Sequence, residues 1–495
     1  MKYWKDFLNY SKELSVAVEL MKILKYYGYS FNHEVLLVGG LVRDMCIAID
    51  NYEHQNNDDV LCGKERYSSF LEYLKGEKFK INDVDFATNI PIEKFEPHFD
   101  CIDIGKNKDF GILVIKYEDY VFEIANYRQE SGYGDGRHPD SVIMIKDFEG
   151  DAKRRDFAIN AMGIDVNGCI YDYFNGQSDI RIGCIDTVGN PDERFAEDYL
   201  RMLRAVRFSS KLQFGIEKRC IEAIQKNAHK IVNVSWERIL KELNKMADLS
   251  GEQFANAIEL MDLTGLLQYI LPEISAMKSL KHNPKFHPEG GSTVYGHIIE
   301  ALRCNKYEDV LLNWSILLHD VGKISCYSCK DGMYHYYKHH LEAKSLIGII
   351  ADRLKFSNEL KECCQFVALN HMTLHDFRKV KKSKAMLLVN HKYWGVLLKA
   401  SYCDSKSRGN IFDSCDWDKT EMYISGLNDW FKGKQGIDNI RKVVNGALIM
   451  KLRPEIKPSS IMGNIIKHTI DWIINENIDI EKNISDVHKF VKEFI

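Results

Sequence analysis

Leu37-Val38-Gly39-Gly40-Leu41-Val42-Arg43-Asp44, answered downstream by Asp83-Val84-Asp85, is the stretch from which the rest of the chain is read. The apolar run Val35 to Val38 reads as a buried strand, and the glycine pair as the tight turn that leaves it. Lacking a Cβ, glycines let backbone N–H groups approach and cradle a polyphosphate. Two aspartates one residue apart on a strand face the same way and can hold divalent cations against that phosphate. Gly39, Gly40 and Arg43 are therefore candidate nucleotide-binding residues, and Asp83 and Asp85 candidate catalytic metal ligands. No G-x-x-x-x-G-K-[ST] occurs, so the phosphate is not held by a P-loop. A second pair, Asp58-Asp59, is set aside, because Phe86-Ala87-Thr88-Asn89 and the helix start Pro91-Ile92-Glu93 follow Asp85 instead.

Around this centre, residues 1–32 read as one amphipathic helix, with Leu14, Val18, Met21 and Leu24 at helical spacing. The polar segment at about 45–80 reads as a loop with a short helix, inserted into the domain. Gly111 to Tyr117 and Val121 to Ile124, joined by Glu118-Asp119, make a hairpin. Glu123 on it is placed to add a third carboxylate beside the aspartates. The glycine-rich, charged run GYGDGRHPD after it reads as a mobile loop. Past residue 165 the pattern turns helical and stays so, with helices near 193–210, 217–229 and 235–247.

The bulk numbers exclude some classes. At 495 residues the chain exceeds one hydrophobic core, so about two to four domains are expected. A hydrophobic content of 45% and a charged content of 28% are those of a soluble globular protein. No apolar run is long enough to span a bilayer, and MKYWKDFLNY does not read as a signal peptide. Thirteen scattered cysteines fit reduced thiols in a cytoplasm, and the lone C-x-x-C at Cys326 and Cys329 has no second pair to complete a zinc site. A net charge of −4 does not advertise nucleic-acid binding, although a local basic patch suffices for it.

Two further motifs carry chemistry. In Arg154-Arg155-Asp156-Phe157-Ala158-Ile159-Asn160-Ala161, adjacent arginines offer bidentate phosphate contacts and the aspartate can accept from a ribose hydroxyl. In Glu197-Asp198-Tyr199-Leu200-Arg201-Met202-Leu203-Arg204-Ala205-Val206-Arg207, helical spacing makes Asp198 and Arg201 neighbours on one face, with Arg204 and Arg207 continuing the stripe. A carboxylate accepts from the exocyclic amine of C or A while a guanidinium donates to the adjacent ring nitrogen, whereas U and G present the wrong pattern. Such a pair selects C and A without a template strand.

These segments, in this order, resemble the class II tRNA nucleotidyltransferase and bacterial poly(A) polymerase family. Glu123-Ile124-Ala125-Asn126-Tyr127-Arg128 resembles the family's E-V-x-x-[FY]-R strand, and Arg154 to Ala161 its R-R-D-F-x-x-N-A. Asp172-Tyr173-Phe174-Asn175-Gly176 resembles its hinge, Glu197 to Arg204 its E-D-x-x-R-x-x-R, and Val234-Ser235-Trp236-Glu237-Arg238-Ile239 its neck sequence. The match covers roughly residues 33–245 and departs from the family in its longer connection between Asp44 and Asp83. The resemblance implies an α+β fold. A nucleotidyltransferase head with a small mixed or antiparallel sheet (33–165) precedes an all-α neck for base selection (166–275), a body (276–410) and a helical tail that contacts tRNA (411–495). It implies Mg²⁺ on Asp83 and Asp85, a nucleotide site including Arg154, Arg155, Asp156, Asn160, Asp198, Arg201, Arg204 and Arg207, and addition of CCA to tRNA from CTP and ATP.

A second resemblance lies downstream. His297, His319-Asp320, His339 (or His340), His371 and Asp404 resemble the metal ligands of an HD-type phosphohydrolase. Imidazoles with carboxylates suit a transition metal, Ni²⁺ or Mn²⁺, able to activate water. Three alternatives share the head or its motifs: a CC-adding enzyme, a nucleotidyltransferase acting on a protein, and a non-catalytic tRNA-binding module. A poly(A) polymerase, a further alternative that shares the head, ranks well below the CCA-adding reading, since Lys94 to Asp100 lacks the basic segment expected of one.

Overall fold

The computed structural model describes residues 1–28, 33–57, 69–103, 105, 111–132, 141–282, 293–330, 333–409, 413–432 and 436–493. Val35–Val38 forms the expected strand, β1, buried along its whole length. After it come β2 (Asp85–Thr88), β3 (Asp100–Ile102), β4 (Ile112–Tyr117) and β5 (Tyr120–Asn126). Then β6 (Arg128–Ser131) and β7 (Ser141–Met144) pair with each other, and β8 (Gly163–Ile164) and β9 (Ile170–Tyr171) return to the main sheet. That sheet has seven strands in the order β3-β4-β5-β2-β1-β8-β9. It is mixed, as expected: β2 and β5 run parallel and the other neighbours antiparallel. Its register sets Val38 opposite Asp85, and Asp85 opposite Glu123, so the glycine turn and two carboxylates meet at one edge of adjoining strands.

The N-terminal segment is two helices rather than one, α1 (Trp4–Tyr10) and α2 (Lys12–Gly28), because Ser11 between them is extended. Leu14, Val18, Met21 and Leu24 are buried on α2 as their spacing requires. The region expected as a loop with a short helix holds such a helix and, among its described residues, a longer helical stretch as well. Helix α3 (Gly40–Asn57) leaves the glycine turn and runs straight through its first part, and α4 (Phe70–Gly76) follows, capped by the Ser69 side chain. Phe70 packs at 4.6 Å from Tyr3 and 5.1 Å from Phe7 (ring centroids), so α1 holds α4 in place; each fully buried ring contributes about 1.5–3 kcal/mol. Asp58-Asp59, the remainder of the insert to residue 68, and 133–140 of the glycine-rich run lie outside the described residues.

Beyond residue 165 the chain is not purely helical. Short parallel strands β10 (Cys184–Ile185) and β11 (Gly215–Ile216) interrupt it. The helices here are α5 (Phe148–Lys153), α6 (Gly176–Ile182), α7 (Pro191–Glu197), α8 (Leu200–Leu212), α9 (Lys218–Asn227) and α10 (Trp236–Ala247). A single helix over 193–210 was expected; α7 and α8 are separate, broken at Asp198-Tyr199. Asp172 caps α6 by accepting from the backbone N–H of Gly176 at 2.8 Å.

Two compact units result. The first comprises residues 1–246 and 256–270; the second comprises 247–255 and 271–495. The N-terminal helices thus fall in the same unit as the sheet. The second unit contains α11 (Gly251–Leu263) in part, then α13 (Pro272–Ala276), α14 (Val294–Arg303), α15 (Val310–Leu318), α16 (His339–Leu354), α17 (Asn358–Leu374), α18 (Lys382–Val389) and α19 (Trp394–Lys406); α12 (Leu267–Ile270) belongs to the first. A hairpin of β12 (Tyr327–Lys330) and β13 (Met333–Tyr336) precedes α16, and among the described residues five helices lie between Ser414 and Glu493, with a core of Ile449, Met462, Ile465 and Val491. No helix among the described residues is long and apolar enough to cross a membrane.

Candidate active site and a second histidine–aspartate centre

In the first unit, Gly39 adopts φ +73°, a left-handed conformation open to glycine, and its N–H donates to Met162 O. A Cβ there would stand 3.5 Å from Arg155 Nη1, an ordinary contact, so it is the backbone conformation and not crowding that calls for glycine at this turn. The turn is one wall of a cavity of about 510 Å³. Seven arginines line it (Arg43, Arg128, Arg154, Arg155, Arg201, Arg204 and Arg238) against four carboxylates (Asp85, Glu123, Asp156 and Asp198). Cations are in excess, as a polyphosphate requires.

Asp85 opens β2 beside Glu123, and burial first, then the charges of Glu123 and Asp83, push its carboxyl up to about 6. Negative charge crowded in this way is a donor set that a divalent cation neutralises, and it fits Mg²⁺. Asp83 does not share the strand. It lies two residues ahead of β2, exposed, and does not line the cavity.

Carboxylates hold the guanidiniums, and one of them, Asp151, lies outside the motifs read from the sequence. Asp151, wholly buried on α5, receives Arg154 at 2.8 Å and Arg155 at 3.1 Å. Burial pushes its carboxyl up, but Arg155 and Arg154 reverse this and leave it below the usual range. Arg43, also buried, donates to Asp44 and Asn160 at 2.8 Å each. Asp156 receives Arg204 at 2.7 Å and the backbone N–H of Phe157 at 2.9 Å.

The expected stripe on one helix face is rearranged. Asp198 ends α7 in an extended conformation, and its carboxylate receives Arg238 at 2.6 Å, not Arg201. Arg201 instead reaches Glu197 and the carbonyl of Arg154. Asp198, Arg201 and Arg204 all line the cavity nevertheless. Arg207 does not: it is buried against Glu242 on α10 at 2.5 Å, its guanidinium 4.0 Å from the Phe208 ring. The sequence reading also passed over Arg128, Arg238 and Phe208 as lining residues. The two arginines stand within motifs already quoted, whereas a lone phenylalanine gives no signal.

The second unit gathers the histidines. His297 (α14), His319 after α15, Asp320, His339 (α16), His371 (α17) and Asp404 (α19) are all buried. His297 Nε2 lies 2.9 Å from Asp404, and His319 Nε2 3.3 Å from Asp320. His339 and His371 approach the other Asp320 oxygen at 3.3 and 3.6 Å. Two overlapping groups, His297/His319/Asp320 and Asp320/His339/His371, each bring their ligand atoms within 4.8 Å of one another. His319, His339 and His371 each donate from Nδ1 to the carbonyl three residues back, at 2.7–2.8 Å, which turns every Nε2 inward as a ligand. His319 Nε2 and Asp320 Oδ1 are buried without a hydrogen bond, and burial pushes His371 down to about 3, so it is a neutral donor. This donor set fits a transition metal. His340 takes no part. Lys323 (2.5 Å from Asp320), His375 (3.2 Å from Asp404) and Arg408 (3.2 Å from Asp404) were missed, although each lies three or four residues from a named ligand.

Comparison with known proteins places these features. Residues 35–186 match the model of the poly A polymerase head domain, and residues 213–278 that of a probable RNA and SrmB-binding site of polymerase A. The histidine–aspartate centre lies outside both ranges. The CCA-adding enzyme of Bacillus velezensis is 43% identical over 54% of this chain and 57% of its own length. Those of B. pumilus and B. licheniformis are 32% and 31% identical, over 63% and 69% of this chain and 70% and 80% of their own lengths. The chain thus spans little more than half of the first of these relatives. The crystal structure of the B. stearothermophilus CCA-adding enzyme in complex with CTP has the same fold, with TM-score 0.65, 20% identity and 98% of each chain covered. With the glycine turn and the paired strand carboxylates inside the matched head domain, and with relatives 32% and 31% identical covered over 70% and 80% of their lengths, the chain belongs to the family of CCA-adding enzymes.

Proposed function

We propose that the chain adds C, C and A to the 3′ end of tRNA from CTP and ATP without a template strand. The observation that carries this is one cavity joining a glycine turn, the Asp85–Glu123 carboxylates and the Asp198/Arg201 pair. Gly39, Gly40, Arg43, Arg154 and Arg155 receive the triphosphate. Asp156 and Asn160 face the ribose, and Arg204 holds Asp156 in place. Asp198 and Arg201 read the Watson–Crick edge of the base, each steadied by a second partner, Arg238 and Glu197. Asp85 and Glu123 at the cavity would hold Mg²⁺, with Asp83, just ahead of the strand and near enough for its charge to reach Asp85, as a further carboxylate; the ion when bound neutralises the phosphates and lowers the pKa of the attacking hydroxyl. The 3′-oxygen of the tRNA bonds to the α-phosphorus, the bond to the β-phosphate oxygen breaks, and pyrophosphate leaves. Residues 33–165 serve as head, 166–275 as neck, and 411–495 as the tRNA-contacting tail.

The test is 3′-end sequencing of tRNA transcripts lacking CCA after incubation with the protein, Mg²⁺ and all four nucleotides. Ends stopping at CCA are expected. Ends stopping at CC assign a CC-adding enzyme, and long A tails a poly(A) polymerase.

A second reading is favoured by the orphaned His319 Nε2 and Asp320 Oδ1. Residues 276–410 form an HD-type phosphohydrolase in which His297, His319, Asp320, His339, His371 and Asp404 hold Mn²⁺ or Ni²⁺. Added Mn²⁺ or Ni²⁺ should yield phosphatase or 2′,3′-cyclic phosphodiesterase activity that His319→Ala abolishes.

A further inference from the structure

The β12–β13 hairpin borders the histidine–aspartate centre. The carbonyl of Tyr336 accepts from His339 Nδ1 at 2.8 Å, and the Lys323 ammonium lies 2.5 Å from Asp320 and 5.6 Å from the Tyr336 ring centroid. From there the rings continue outward. Tyr336 to Tyr327 is 6.1 Å between centroids, and Tyr327 to Tyr334 is 6.0 Å. The register pairs Tyr327 with Tyr336 and Cys329 with Tyr334, which puts all three tyrosines on one face of the hairpin. Tyr327 is 48% exposed, so the row is not sealed into a core. From Val321 to Leu341 the sequence supplies Lys323, Lys330 and Lys338 against a single acidic residue, Asp331.

Aromatic faces at successive positions with lysines between them are the means by which proteins bind single-stranded nucleic acid without reading its sequence. We propose that Tyr336, Tyr327 and Tyr334 form a stacking row that leads the end of a nucleic-acid strand to the histidine–aspartate centre. The row then favours, among the esters hydrolysed there, a phosphate carried by a terminal nucleotide over a free small phosphate ester. This rests on the phosphohydrolase reading of that centre. For a 3′-phosphate the balance is simple: a water oxygen joins the phosphorus, the ester P–O bond breaks, and the departing 3′-oxygen takes the proton.

The test uses the full chain with MnCl₂ and two substrates, a 3′-phosphorylated trinucleotide and p-nitrophenyl phosphate. Tyr327→Leu should raise KM for the trinucleotide about 5- to 100-fold with kcat unchanged, and leave p-nitrophenyl phosphate turnover as it is. Tyr337→Leu is the control: its exposed ring stacks on His335 at 5.2 Å, outside the row, and KM should not move. Independently of turnover, a trinucleotide carrying 4-thiouridine should photocrosslink to the peptide containing Tyr327, and less so in Tyr327→Leu. If both esters are hydrolysed, His319→Ala abolishes this, and Tyr327→Leu changes neither KM, the stacking row is overturned while the centre's reading stands. Crosslinking without hydrolysis of either ester keeps the row and overturns the hydrolytic reading. Neither crosslink nor hydrolysis overturns both.

Discussion

Replacing Asp156 with Asn removes the charge that fixes Arg204 at the cavity wall while keeping the side chain's shape. In the wild type, one carboxylate oxygen receives Arg204 from Nε at 2.7 Å and from Nη2 at 2.5 Å, and the other receives the Phe157 N–H. Burial alone pushes the Asp156 carboxyl up; Arg204, then Arg201, outweigh that and hold it at about 2, against 3.8 for a free aspartate. A folded-state pKa depressed in this way contributes about 2 kcal/mol at neutral pH. Asp156 is only 8% exposed, so solvent screening does not erode that figure. The contribution is fully present above the unfolded value of 3.8 and is lost as the pH falls through about 2. The assay is hydrogen–deuterium exchange in peptides covering Leu200–Leu212, since exchange there reports opening of α8. At pH 7 Asp156→Asn should speed exchange about 30-fold relative to wild type, and the ratio should be the same at pH 5 and pH 8. Combined with Arg204→Met, the double variant should cost about 2 kcal/mol less than the two single costs added. A ratio that shrinks between pH 8 and pH 5 would place the titration of Asp156 in that range and refute the reasoning. A ratio of one at every pH would refute it equally.

Three further outcomes are expected. Asp85→Asn should cut nucleotide incorporation into tRNA by about 100-fold or more, because it removes the strand carboxylate at the cavity; full activity would move the metal site elsewhere. Arg201→Ala should admit U and G at about 5- to 150-fold higher frequency relative to C and A in single-nucleotide incorporation, and unchanged selectivity would put base reading on other residues. Gly322→Ala places a Cβ 1.9 Å from the His339 carbonyl oxygen and 2.6 Å from the Ala343 nitrogen, backbone atoms that cannot yield without moving α16. Its affinity for Mn²⁺, followed calorimetrically, should fall about 10- to 100-fold, and wild-type affinity would separate α16 from the metal centre.

The parts legible in the sequence are those set by local rules. An apolar tetrapeptide before two glycines has few options other than a strand and a turn. Alternation around Glu118-Asp119 specified a hairpin, and the register then brought Glu123 beside Asp85 as anticipated. The misreadings arose where tertiary contacts overrode local pattern. Helical spacing from Glu197 to Arg207 suggested one continuous face, but Asp198 leaves the helix to meet Arg238, forty residues on, and the stripe breaks there. Arg207 followed the same periodicity and yet points away from the cavity to Glu242. The insert reads as a loop with a short helix, and α4 is that helix, its Phe70 packed on Tyr3 and Phe7; what the polar sequence hid is that α3 continues to Asn57. The histidines of the second unit were recognisable as metal-ligand types in order, whereas the carbonyls of Ile316, Tyr336 and Ala368 that turn their rings are backbone groups that sequence cannot show.

The carboxylates around the cavity also explain why it needs so many arginines. A guanidinium offers five N–H donors, and no single ion pair consumes them all. Arg155 spends donors on Asp151 and on the Asn160 carbonyl, Arg204 on Asp156, Arg201 on Glu197 and two backbone carbonyls. Each is fixed in place before any nucleotide arrives, and each keeps donors for the nucleotide. A flexible arginine would lose about 2 kcal/mol of rotamer freedom on binding, and an ordered one has already lost it on folding. Asp151 shows the cost of the arrangement: a wholly buried carboxylate is tolerable only while both Arg154 and Arg155 reach it. The excess of arginines over carboxylates is then available to the substrate as oriented charge. That is the property the proposed template-independent addition requires, because the pocket alone would set the position at which base edges are compared.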